Sequence, residues 1–152
     1  MKAITILQPY CHLIAVGEKR VENRTWYAPH KLWGEWIAIH AGLSRNLLTA
    51  GDLERFPDMS FGAIEAVAFL NICLSRHEIE YNRVPEDMQW VKKHEHMSGP
   101  ICWIFTKVIR LPNPIRCKGK QGLWTISDGA ERRITRAILD NALSKGCIIG
   151  RK

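Results

Sequence analysis

Three things are scarce in this 152-residue chain: paired cysteines, long apolar runs, and acidic residues in its last third. The five cysteines, Cys11, Cys73, Cys102, Cys117 and Cys147, are odd in number and widely spaced, and no Cys-x-x-Cys pair occurs. His94-x-His96 likewise lacks partners at zinc-site spacing, so no metal is expected. The thiols are expected to be reduced and mostly buried, which fits a cytoplasmic protein. No apolar stretch reaches the roughly 20 residues of a membrane span. Met1–Pro9 has one basic residue and too short an apolar run for a signal peptide. Also absent are a Gly-x-Ser-x-Gly elbow, His-Glu-x-x-His, a locally marked Cys/His nucleophile pair and the Gly-x-x-x-x-Gly-Lys-Ser/Thr phosphate loop. Nothing in the chain demands a cofactor.

What is present is an ordinary globular balance, 46% apolar and 24% charged, enough for one domain with a real core. The net charge is +7, but it is unevenly spread. Residues 1–106 carry 11 Lys/Arg against 12 Asp/Glu, whereas residues 107–152 carry 11 against 3. A local field of that sign either attracts polyanions or simply keeps a basic tail solvated.

Local patterning predicts about six strands and three or four short helices, irregularly interleaved, an α+β chain closer to a small mixed β-barrel than to a doubly wound sheet. Ala3–Leu7 reads as a strand ended by Pro9, and Tyr10–Val16 as a short helix with Gly17 at its C-terminal cap. Val21–Trp26 and Glu35–His40 follow as strands. Ser44 is placed to cap a helix over Arg45–Arg55, stopped before Pro57. Gly62–Ser75 is apolar on both faces, as a doubly buried strand would be, and Glu65 within it must be paired or face a cleft. The polar segment His77–Met97 has a helix start at Pro85. Ile101–Leu111 and Gly122–Ser127 are further strands, joined by Pro112-Asn113-Pro114 and a Lys/Gly loop. Asp128-x-x-Glu131 has capping-box spacing before a helix whose stripe is Ile134, Ile138, Leu139, Ala142 and Leu143, ended by Gly146.

Gly17–Trp26 is the stretch richest in chemistry. At the strand period Lys19, Val21 and Asn23 share one face, and Arg20, Glu22 and Arg24 the other. Lys19 and Glu22 are either an acid/base pair in a cleft, plain ligand contacts, or an ordinary ion pair; opposite faces count against direct pairing unless a bulge or turn intervenes. Arg24 offers a planar fork to phosphate or to Glu22. Trp26 either stacks on a base or fills the core. Gln8, beside Pro9 at a strand-to-helix turn, is placed for a base edge, with Tyr10 either beside it or packed inward. His40 ends a strand before two small residues that allow close approach by a ligand, or is a satisfied, partly buried histidine. Lys118-Gly119-Lys120-Gln121-Gly122, closed by Trp124, interleaves charge and aromatic as single-stranded nucleic-acid sites do, or is a solvated hairpin tip. Arg132, Arg133 and Arg136 lie off the apolar stripe of the last helix and face solvent or a partner.

These residues carry a family resemblance. Ile6-Leu7-Gln8-Pro9-Tyr10, Gly17-x-Lys19-x-x-Glu22-x-Arg24-x-Trp26, and Ile39-His40-Ala41-Gly42 resemble the ASCH domain, a branch of the PUA-like superfamily. Gly62-Ala63-Ile64, Gly99-Pro100 and Lys118–Trp124 fall where that family places its remaining strands. The resemblance implies an ASCH domain over residues 1–127, with residues 128–152 a basic C-terminal helix and tail packed on it. It further implies a small β-barrel with a cleft that binds RNA, single-stranded nucleic acid or a nucleoside near Lys19, Glu22 and Arg24. Some members look like hydrolases, either ribonucleases or amidohydrolases acting on an acylated nucleoside. The amidohydrolase branch uses a Lys with a Thr three residues later, where this chain has Glu22. A third possibility is a regulatory module whose basic helix docks on an acidic protein.

Overall fold

The structure, a computed structural model, describes residues 1–144. β1 (Lys2–Ile6), β2 (Val21–Arg24), β3 (Glu35–Ala41), β4 (Ala63–Ser75), β5 (Ile101–Arg116) and β6 (Leu123–Thr125) form one sheet in the order β2–β5–β4–β3–β1–β6. β1 and β3 are parallel, and every other pairing is antiparallel. The sheet curls into a half-barrel because its long strands are bulged, at Ile39/His40 of β3 and at three points along the β4–β5 ladder. The widest irregularity sets Leu111–Pro114 of β5 against Glu65 alone, between the pairs Ile64–Ile115 and Ala66–Arg110.

Period-two alternation divides the core. Ile4, Ile39, Ala66 and Trp103 point to the concave face, where α1 (Tyr10–Ala15) packs through Cys11, Ile14 and Ala15. Ala3, Ala38, Ile64 and Val67 point to the other face, covered by α4 (Asp128–Ser144) through Ala130 and Ile134. A third cluster joins Val21, Cys102 and Ile104 to Ile79 of α3 (Arg76–Glu80) and to Met88 and Val91 of a 3₁₀ segment, Glu86–Lys93. Fully buried side chains of this size contribute about 1.5–3 kcal/mol each. Trp103 and Phe105 are the largest of them. Among the described residues no helix is long and apolar enough to cross a membrane.

Several elements differ from their expected form. The helix expected over Arg45–Arg55 is only α2 (Ala50–Arg55), because Thr49 rather than Ser44 supplies the capping box with Asp52. β5 continues through Pro112-Asn113-Pro114 instead of ending before it, since the bulge absorbs both prolines. α4 is capped by Ser127, whose hydroxyl accepts the Ala130 N–H. Glu131, expected to complete a capping box, pairs with the amino terminus of Met1 instead. Leu139, expected on the apolar stripe, is 43% exposed. The expected stop at Gly146, and Cys147, lie outside the described residues.

Candidate functional site

Lys19 and Glu22 meet through a turn. Val16 caps α1 at its C-terminal end, and Gly17 follows at φ +85°, a conformation that favours glycine. The N–H groups of Gly17 and Lys19 then bond back to the carbonyls of Ile14 and Leu13, both at 3.0 Å. Lys19 therefore precedes β2 rather than alternating within it, and its side chain folds back over the strand. Its ammonium donates to the Val21 carbonyl and, at 2.7 Å, to Glu22 Oε2. Glu22 Oε1 lies 3.3 Å from Arg24 Nε, an ion contact without hydrogen-bond alignment. Arg24 in turn donates to the Thr5 carbonyl at 3.0 Å. Thr5 belongs to β1, which three strands separate from β2 in the sheet order, so this bond spans the curl of the half-barrel.

Beside this pair opens a cleft of about 420 Å³ lined by Tyr10, Lys19, Glu22, Asn23, Glu95, His96 and Ser98. Lys19 has three N–H donors, and two are committed within the protein. The third is available beneath the Tyr10 ring, whose centroid is 5.8 Å from Nζ. Tyr10, 39% exposed, and His96 meet edge to face at 6.1 Å as two aromatic walls. The far wall is fixed by Asn23: its amide donates to the His96 carbonyl at 2.7 Å and accepts the Ser98 and Gly99 N–H groups at 3.1 and 2.8 Å.

His94 anchors the same wall from behind. Its Nε2 faces the Arg20 N–H at 3.2 Å and its Nδ1 the His96 N–H at 3.3 Å. A neutral imidazole accepts at one of these nitrogens, and a protonated ring at neither. Burial, then His96 and the Lys19 charge, hold His94 below the ordinary histidine value. Burial and Lys19 lower His96 in the same way.

The structure divides the residues singled out from sequence. Lys19, Glu22 and Tyr10 line the cleft, while Arg24 stands behind Glu22 outside its lining. A polyanion reached by cation, acid and guanidinium together does not fit this geometry, because those three side chains are spent largely on one another. Gln8 is fully buried away from the cleft: its amide donates to the Ser60 carbonyl and to Glu65, and its oxygen accepts the His12 N–H at 2.9 Å. It caps α1 rather than reading a base. Trp26 packs edge to face on Trp103 at 4.9 Å and accepts the Trp103 indole N–H at its carbonyl, so its ring is a wall of the core. Trp124 is 8% exposed and donates to Thr5 Oγ1.

His40 is also buried, with Nε2 3.1 Å from the Cys117 carbonyl and Trp124 against its ring edge at 5.6 Å. Burial lowers its pKa. Gly119 lies directly over it, and a Cβ there would come within 2.3 Å of the ring. The glycine therefore serves close approach of the loop to His40. Lys118 and Lys120 flank it and are exposed, as are Arg132, Arg133 and Arg136 on α4. All five lie on the α4 side of the sheet, away from the cleft. Sequence reasoning missed Asn23, Glu95, His96 and Ser98; the signal available was His94-x-His96, weighed only as a metal motif.

Glu65, expected to be paired or in a cleft, is paired. Its Oε1 accepts from Gln8, the Ser60 N–H and the Ser60 hydroxyl, and Oε2 lies 3.3 Å from His12 Nδ1. Burial pushes its pKa up, but the close His12 contact and the Ser60 hydrogen bonds outweigh that, and the net shift is downward.

Residues 4–114 match the ASCH domain family, and the chain belongs to it. The fold agrees with the PUA-like architecture of that family. Among solved structures, an ASCH protein from Zymomonas mobilis superposes with a TM-score of 0.51 at 14% identity, covering 91% of this chain and 93% of that one. A serine-to-alanine mutant of the Zymomonas protein gives 0.53 at 14% identity over 89% and 94%. A tyrosine-to-phenylalanine mutant gives 0.54 at 12% identity over 89% and 96%. At such identities the likeness establishes the fold alone. No curated protein sequence matches the chain.

Proposed function

We propose that the Lys19 cleft binds a nucleobase, presented either within RNA or as a modified nucleoside. Membership of the ASCH family supports a general RNA-binding or related PUA-like role. The observation that carries the finer reading is the cleft's mixed sign. One ammonium with a spare donor sits among two carboxylates, Glu22 and Glu95, and two aromatic rings. That balance disfavours a phosphate, which needs a cationic floor, and suits a neutral heterocycle that offers both acceptor and donor edges. Tyr10 supplies an exposed ring, and base–aromatic stacking contributes about 1–3 kcal/mol per base. A panel of free nucleosides titrated against the protein tests this: binding that inorganic phosphate fails to compete away supports it, and phosphate-sensitive binding overturns it.

A hydrolase reading, with Lys19 and Glu22 acting on RNA or an acylated nucleoside, is favoured by the same spare donor, which could stabilise a developing oxyanion. Against it, Glu22 is held between two cations, the Lys19 ammonium at 2.7 Å and Arg24 Nε at 3.3 Å, which favours its charged form and weakens it as a base. Product formation lost in Lys19→Ala would establish turnover; product formed at an unchanged rate would end that reading.

A further inference from the structure

Several exposed cations of the last third of the chain stand around α4 and the bulged end of β5. A groove of about 840 Å³ runs there between α4 and the bulge of β5. Arg133, Arg136, Ala137 and Asp140 form one side, and Arg110 with Leu111–Ile115 the other, with Asp58 at the rim. Arg110 pairs with Asp58, and Arg136 with Asp140 at 3.8 Å; all four side chains are exposed, so both pairs are solvent-screened and open to exchange. Arg133 makes no ion pair among the described residues. Cys117 packs against the same apolar cluster as Ile134 and Ala137 of α4, which brings the exposed Lys118 and Lys120 to the α4 side.

We infer that this groove and the adjoining loop form a second site, one that takes the phosphate backbone of a single-stranded nucleic acid. Three features favour that occupant over a peptide. Three of the site's five cations, Arg110, Arg133 and Arg136, are arginines, whose planar fork matches phosphate oxygens. β2 pairs only with Ile101–Ile104 of β5, so the Leu111–Pro114 stretch is an open edge, yet Pro112 and Pro114 have no N–H to give an added strand. Among the described residues no aromatic side chain lines the groove, which fits contact with backbone rather than with bases. The site does not rest on the cleft reading, because a chain whose cleft bound nothing would still hold phosphates here.

The test is fluorescence anisotropy of the full chain with oligouridylate and oligoadenylate of about 20 nucleotides across a salt series, since each phosphate neutralised on a single strand adds about 0.7 to the log–log slope. The double variant Arg133→Gln/Arg136→Gln should lower that slope by about 1.4 and weaken both oligomers alike. Lys118→Gln/Lys120→Gln should do the same, and its side chains are equally exposed, so either variant decides the matter if the other fails to fold. An unchanged slope in a folded variant overturns the site. So does a polyglutamate chain that competes as well as RNA at equal charge, which would reassign the groove to an acidic protein.

Discussion

Lys19 and Glu22 are joined at 2.7 Å although an ideal strand would set them on opposite faces. The turn at Gly17 removes Lys19 from the strand, and burial of both side chains makes the pair matter. Lys19 is 3% exposed and Glu22 8%. Glu22 also holds Arg24, so the two residues are not equivalent.

Breaking the pair should therefore be asymmetric. Glu22→Leu strands a buried ammonium and is expected to cost about 3–5 kcal/mol. Lys19→Met should cost less, because Arg24 still neutralises Glu22. The double variant should recover part of the loss. Urea unfolding of the three variants checks the order, and equal losses from the two single changes would contradict it.

Acid should loosen the cleft before it unfolds the core. His40, His94 and His96 all have folded-state pKa values below the ordinary 6.5. Protons then favour the unfolded chain, so the stability these groups allow is full above about 6.5 and is lost as pH falls toward their folded values. Glu65, Asp58, Asp52 and Glu78 have lowered pKa values and add a second loss once pH drops through the carboxylate range. Stability and nucleoside binding should both decline from pH 7 to 5, with His94→Asn flattening the binding profile. A rise in stability over that interval would contradict the assignment.

Two glycine substitutions should have opposite signs. Gly119→Ala drives a methyl into the His40 ring, itself wedged against Trp124, and should destabilise by about 1–3 kcal/mol. Gly51→Ala, within α2, meets nothing nearer than Thr49 Oγ1 at 3.8 Å and should stabilise by about 0.5–1 kcal/mol. Thermal melts of the pair decide it.

Much of the strand order was legible because apolar alternation and punctuating Pro and Gly residues are local signals. Val21–Arg24, Glu35–Ala41 and Ala63–Ser75 lie close to where patterning put them. The site was half legible. Lys19, Glu22 and Tyr10 share one stretch of chain, but the opposite wall comes from His94–Ser98, more than 70 residues away and held through Asn23 and Arg20. No local pattern encodes that closure. Gln8 misled for a related reason, and His40 took the buried one of its two readings. A polar residue beside a turn looks available for a ligand until the fold supplies its partners, Glu65 and Ser60 for one and Cys117 for the other. Pro112 and Pro114 suggested a loop because only the bulge opposite Glu65 lets a strand carry them.

The central claim is that a base enters the cleft beside Tyr10 and His96, next to Lys19. Backbone amide chemical shifts followed by NMR while a nucleoside is added test it most directly. Shifts concentrated at Tyr10, Lys19, Asn23, His96 and Ser98, and abolished in Tyr10→Ala, are the predicted result. Shifts absent from those residues, or unaffected by loss of the Tyr10 ring, would contradict it.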